Sequence, residues 1–339
     1  MAVLGACAVW SLVTAALHGG RPEGVLLALL AVAAGYATGR IFGVLLPVAA
    51  PCAAALAGLA LTVTLPRLAP GPETAPPLGH AGATAAVLTL AAGAACCAAW
   101  AASSPVLRLA LWLLAAGVPV VGALVGSTMA VVTCCAVLLC SLAGGRVRRR
   151  GPALAALALS AALVTGLTWA VAGNALPGGA ADRLERLLTP RRVDLWQDAL
   201  DLAHRDPGLG VGPGRFGELS ATAAQSTLSD GKPHSAPLQL AAEQGVVGVL
   251  LLAAAYCWVL LALWRAPRPT PVVLGAAAAL TALAAVAAVG NALSFTVVPV
   301  GAGLLAGLAT ARPLAEDAPA PEASSEPGRR LRHGGRPAA

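Results

Sequence analysis

The sequence predicts an all-α fold: a polytopic integral membrane protein with about ten transmembrane helices and one large extracytoplasmic loop. Three observations carry this expectation. Apolar residues make up 58% of the 339 and charged residues 11%, against roughly a quarter charged in soluble domains, and mean hydropathy is +0.79. The apolar residues fall into separate runs, several near the roughly twenty residues needed to cross a hydrocarbon layer about 30 Å thick. One long polar stretch, 174–236, interrupts them.

In order, the spans run over 2–17, 24–38, 43–65, 82–102, 107–123, 127–143, 152–173, 237–264, 271–290 and 293–311. The first lacks the basic leader and small-residue cleavage site of a removable signal, so it reads as a span. Orientation follows from the short loops. Arg40, Arg108, Arg146, Arg148, Arg149, Arg150, Arg265 and Arg268 fall on one side, against Arg21 and Arg67 in the short loops of the other. Arginine-rich short loops stay in the cytoplasm, which puts both termini inside and 174–236 outside a plasma membrane. Four units result: N-terminal membrane helices (1–173), an extracytoplasmic loop (174–236), C-terminal membrane helices (237–311) and a disordered, solvated cytoplasmic tail (312–339). The net charge of +7 is thereby mostly a topology signal. The bilayer is the expected partner and nucleic acid is not.

All eight cysteines lie in apolar spans and read as small packing residues; no Cys/His spacing suggests a metal site, and no cofactor is expected. Ionisable groups are scarce inside the spans. An ion-coupled transporter needs such groups near the membrane midplane, and no internal repeat is evident, so both observations weaken that alternative.

The chemistry is concentrated in the polar stretch. Thr189-Pro190 can start a helix and Asp206-Pro207-Gly208 can stop it. Within it Arg191, Asp194, Asp198, Asp201 and Arg205 share a polar face, while Arg192, Trp196, Ala199 and Ala203 share another. Arg192 on the apolar side fits two roles equally, an anion-binding group or a structural arginine that snorkels or pairs with Asp198. Gly212 to Gly217 satisfies G-x-G-x-x-G, but without a preceding strand it is no dinucleotide fingerprint. Gly212 and Gly214 more plausibly shape a re-entrant loop that lets backbone approach a ligand, with Arg215 available for an anion; the bland reading is a plain turn. His234 precedes a helix that Ser235 can cap and Pro237 can open. A lone loop histidine is more often surface polarity than a catalyst. Gln239 and Glu243 lie four apart on one face of the following span, where a carboxylate demands a specific partner.

Arg192-Val193-Asp194-Leu195-Trp196, Asp206 through Phe216, and His234 through Gly248 together resemble the signature of the O-antigen ligase and O-antigen polymerase superfamily. Two positions depart from its pattern: Ser235 stands where asparagine is usual, and Pro237 where an aromatic or aliphatic residue is. The resemblance implies a membrane-embedded, metal-independent glycosyltransferase that inverts the anomeric centre. Its donor would be a polyprenyl-diphosphate-linked glycan on the outer face, its acceptor a glycan or other hydroxyl. Other envelope-polysaccharide proteins are further implied partners. His234 and Arg192 would be catalytic, with Arg215, Gly212, Gly214, Glu243 and Gln239 binding substrate. Arginine's planar fork suits a departing diphosphate, and the outer stretch has no Asp-x-Asp clamp for a divalent ion. A polyprenyl-glycan or small-solute transporter and a non-catalytic envelope-polymer scaffold are the alternatives.

Overall fold

The computed structural model describes residues 2–68, 78–175, 189–225 and 231–312. Among the described residues there are helices and turns and no strand. Seven helices come first: α1 (Ala2–His18), α2 (Glu23–Leu45), α3 (Ala49–Leu68), α4 (Leu78–Ala101), α5 (Pro105–Leu124), α6 (Thr128–Gly144) and α7 (Arg150–Ala172). The polar stretch supplies α8 (Pro190–Arg205) and two single turns, α9 (Phe216–Leu219) and α10 (Ala221–Ala224). Then follow α11 (Ala236–Trp264), α12 (Thr270–Val289), a 3-10 turn (Ala292–Ser294) and α13 (Val297–Thr310). The expected tail lies, beyond Arg312, outside the described residues, as do 176–188 and 226–230 of the polar stretch.

Six helices, α2, α4, α5, α7, α11 and α12, are long and apolar enough to cross a membrane; α1, α6, α13 and the stretch Ala49–Thr64 of α3 are apolar but shorter. The second boundary differs from expectation. A turn around Arg40 was expected between spans ending at 38 and starting at 43, but α2 runs on to Leu45 and the turn falls at Pro47. Gly39 and Gly43 do not end the helix because they serve packing instead. Gly35, Gly39 and Gly43 line one face of α2 and lie close to the backbone of Val300, Leu304 and Leu308 in α13, while Gly303 and Gly307 of α13 lie close to the backbone of Val32, Tyr36 and Arg40 in α2. A Cβ at Gly43 would lie 2.7 Å from Ala311 Cβ, and one at Gly307 would lie 2.8 Å from Arg40 N. In a bilayer, where lipid tails match side chains in polarity, such close approach is what holds two helices together.

This interlock yields a test. Gly39→Leu is expected to abolish the monodisperse peak in size-exclusion chromatography of the detergent-solubilised protein. Gly117→Leu should retain the peak, because a Cβ there meets nothing within 4 Å.

The centre of the bundle is α4. Its sequence is mostly alanine with a few larger apolar residues such as Leu88 and Leu90; α3, α5, α6, α12 and α13 all pack on it and its described side chains are nearly all buried. Arginines of the short loops close the helix ends. Arg150 Nη1 donates to Ala266 O (2.8 Å), and Arg108 Nη2 donates to Ala102 O (2.9 Å). Arg268 donates through Nε to Ala311 O (3.0 Å) and through Nη2 to Gly43 O. Each occupies carbonyls at or just beyond a helix C-terminus, where backbone acceptors lack intrahelical partners and positive charge is favoured.

Candidate functional site

The site grows from α8, whose two faces separate as its spacing requires. Val193, Leu195, Trp196, Ala199, Leu202 and Ala203 are buried, while Arg191, Asp194, Asp201 and Arg205 are exposed. Trp196 packs in one apolar cluster with Phe216 of α9 and with Leu238 and Ala242 of α11. Polar contacts tie the same elements together. Asp198 Oδ2 accepts from Ser220 Oγ (2.5 Å) and from Thr222 N (2.9 Å), while Ser220 Oγ accepts from Ala223 N (3.1 Å). Partial burial alone would raise the Asp198 pKa, but these donors outweigh it and hold the carboxyl below the usual aspartate value.

The central feature is a break in α11. Gly245 adopts φ 66°, ψ −166°, a conformation open in practice to glycine alone. The break interrupts the helical hydrogen-bond ladder over one turn, and the glycine-rich loop repairs it. Val211 N donates to Ala242 O (2.8 Å), Gly212 N to Glu243 O (2.9 Å), and Val246 N to Pro207 O (2.9 Å). The Trp10 indole of α1 donates to Gln244 O (3.0 Å). Such contact requires bare backbone on both sides. A Cβ at Gly210 would sit 2.7 Å from Ala242 O, and one at Gly245 would sit 2.7 Å from Pro207 O. Irregular backbone at a helix break is tolerated where neighbouring segments satisfy its polar groups, as they do here.

This arrangement locates each expected site residue. His234 stands just before α11 with φ 54°, a left-handed conformation rare for a residue with a side chain. Ser235 occupies the N-cap position, yet its hydroxyl makes no bond into the helix; its carbonyl accepts from Gln239 N (2.9 Å). Glu243 is buried, accepts from Gln239 Nε2 (3.3 Å), and has the backbone amides of Gly214 and Phe216 turned to its carboxyl. Arg192, in the first turn of α8, is half-buried, and that burial lowers its pKa from the ordinary arginine value. It remains a cation. No carboxylate among the described residues lies within ion-pair distance of it. Asp198, the partner its spacing allowed, is engaged by Ser220 and Thr222. Two buried donors, Trp196 Nε1 and Ser235 Oγ, also lack partners among the described residues. Such deficits call for a water, an ion or a ligand.

Comparison with known families fits this geometry. Residues 109–253 match the O-antigen ligase family model. The match supports the O-antigen ligase and polymerase superfamily and, with the apolar helices, a multi-pass membrane enzyme of polysaccharide biosynthesis. No curated protein and no solved structure matches the chain. The O-antigen ligase match starts in α5 and ends past the break in α11, so it takes in Arg192, the glycine-rich loop, His234 and Glu243.

Part of the structure around this site lies outside the match and was not expected from sequence. The turn joining α1 to α2 packs on the glycine-rich loop, with Arg21 N donating to Pro213 O (2.7 Å). Arg215 Nη1 donates to His18 O (2.8 Å) and its Nε faces Glu218 Oε2 (3.7 Å), so this arginine braces α1 against the loop. Gly212 spends its amide on the α11 break. The sequence places Arg21 in a short loop between the first two spans but gives no sign that this loop packs on the glycine-rich one.

Proposed function

We propose that the chain transfers or polymerises glycans from a polyprenyl-diphosphate donor at the outer face of the plasma membrane, without a metal ion, during cell-envelope or exopolysaccharide synthesis. Ten spans would put both termini in the cytoplasm and residues 174–236 outside. The supporting observation is Arg192, a half-buried cation with no acidic partner among the described residues, on a helix packed against the mouth of α11 that carries His234. A carbohydrate acceptor's hydroxyl oxygen attacks the anomeric carbon of the donor. The bond from that carbon to the diphosphate oxygen breaks with its electron pair on the diphosphate. Arg192 stabilises the charge that develops there, and the guanidinium fork matches two phosphate oxygens at once. His234 takes the proton from the attacking hydroxyl, which requires the neutral imidazole.

The orientation is tested in a variant whose eight native cysteines are replaced. A cysteine at the exposed position of Asp194 is expected to react with an impermeant thiol reagent in intact cells that have no outer barrier, while one at exposed Arg148 stays unlabelled. Labelling at 148 and not at 194 would put the donor site in the cytoplasm and end this reading.

A further inference from the structure

The rim of the site carries a pair of arginines that transfer chemistry at Arg192 and His234 does not use. Arg21 and Arg215 come from different segments, but the segments are locked to each other. Besides the bond from Arg21 N to Pro213 O, a Cβ at Gly20 would lie 2.7 Å from Pro213 O and one at Gly214 would lie 3.3 Å from Arg21 O. The guanidinium of Arg215 is oriented by its bond to His18 O, and His18 Nε2 in turn lies 3.6 Å from Asp206 Oδ2. Between the two arginines sits one carboxylate. Glu218 turns Oε1 to Arg21 Nη2 (3.9 Å) and Oε2 to Arg215 Nε (3.7 Å).

Charge and exposure make this arrangement exchangeable. Two guanidiniums share the one carboxylate of Glu218, while Asp206 faces His18 instead. The side chains are 78% (Arg21), 56% (Glu218) and 33% (Arg215) exposed, and both ion pairs are long. Exposed pairs of this kind contribute little, so a competing anion displaces the carboxylate at small cost. Glu218 offers each arginine a single oxygen. A phosphate group, with more oxygens and more charge, can offer each guanidinium two.

We propose that Arg21 and Arg215 form a phosphate-binding clamp at the outer rim, and that Glu218 guards it until a phosphate group replaces its carboxylate. The clamp rests on the diphosphate-donor reading only for its natural occupant. The phosphate belongs either to the lipid-linked diphosphate or to an anionic lipid headgroup. Arg21 lies outside the matched region 109–253, so that region alone does not supply the clamp.

The full chain is tested in nanodiscs of neutral phosphatidylcholine, titrated with inorganic pyrophosphate by isothermal calorimetry. Arg21→Gln is expected to weaken binding about tenfold, the loss of roughly one charged hydrogen bond. Glu218→Gln is expected to tighten it severalfold, and Arg148→Gln, on the opposite side of the bundle, to leave it unchanged. A gain of affinity in Glu218→Gln cannot come from misfolding. Native mass spectrometry after reconstitution with phosphatidylglycerol separates the sources. Phosphatidylglycerol lost with Arg21→Gln assigns the clamp to a headgroup; retention of that lipid alongside weakened pyrophosphate binding assigns it to the diphosphate. Wild-type pyrophosphate affinity and lipid retention in Arg21→Gln, or no tightening in Glu218→Gln, would overturn the proposal. Both readouts are equilibrium binding. A chain that binds pyrophosphate through the clamp but transfers no glycan would therefore refute the transfer reading and leave the clamp standing.

Discussion

Gly245→Ala is expected to lower the thermal unfolding midpoint of the solubilised protein by roughly 10 °C, the shift that several kcal/mol produces in a chain of this order of size. One added methyl suffices for two reasons. The Gly245 backbone conformation costs a residue with a Cβ on the order of 1–3 kcal/mol. The Cβ would also sit 2.7 Å from Pro207 O, pushing the glycine-rich loop off the break. That displacement loosens the bonds to Ala242 O, Glu243 O and Pro207 O, each contributing about 0.5–1.5 kcal/mol. Gly166→Ala in α7 is the control, since a Cβ there meets nothing within 4 Å and alanine favours helix. Equal melting of the two variants would mean that the break is not part of the stable fold.

Arg192 and His234 are expected to fail differently. In the proposed mechanism Arg192→Ala removes the one charge that would both hold the donor diphosphate and stabilise its departure, so KM for donor is expected to rise and kcat to fall together. Arg192→Lys restores only part of the loss, because a point charge lacks the bidentate fork. His234→Gly leaves donor binding near the original value and lowers turnover by roughly 10²–10⁴-fold, the usual contribution of a general base. Glycine is chosen because the native φ of 54° suits it, so the variant loses the imidazole without backbone strain. Steady-state kinetics with a lipid-linked oligosaccharide, alongside a melting curve for each variant, separates these outcomes from unfolding.

Much of this architecture is legible in the sequence because hydrophobic runs and turn residues act locally. The extent of α8, its division into a buried Trp196 face and an exposed Asp194 face, and the helix that begins after Ser235 follow from spacing and from Thr189-Pro190 and Pro237. Contacts between distant segments do not follow. Gly39 and Gly43 read as a place where a span ends, since nothing local reveals that α13 lies against them. Gly245 reads as a small residue for helix packing. Its left-handed break becomes visible only with the carbonyls of Ala242 and Glu243 paired to Val211 and Gly212. Arg215 illustrates the same limit: nothing in its sequence shows that the fold sets it against His18 O and Glu218.

The central claim is that an outward-facing site at the mouth of α11 transfers glycan with His234 as base and Arg192 at the diphosphate. Single-turnover transfer by the purified protein, given a fluorescent polyprenyl-diphosphate oligosaccharide and scored for chain growth or for transfer to a second acceptor, tests it most directly. The account predicts product with the wild type, no effect of metal chelation, and His234→Gly slowed by roughly 10²–10⁴-fold with donor still bound. Full-rate product from a folded His234→Gly variant would contradict it.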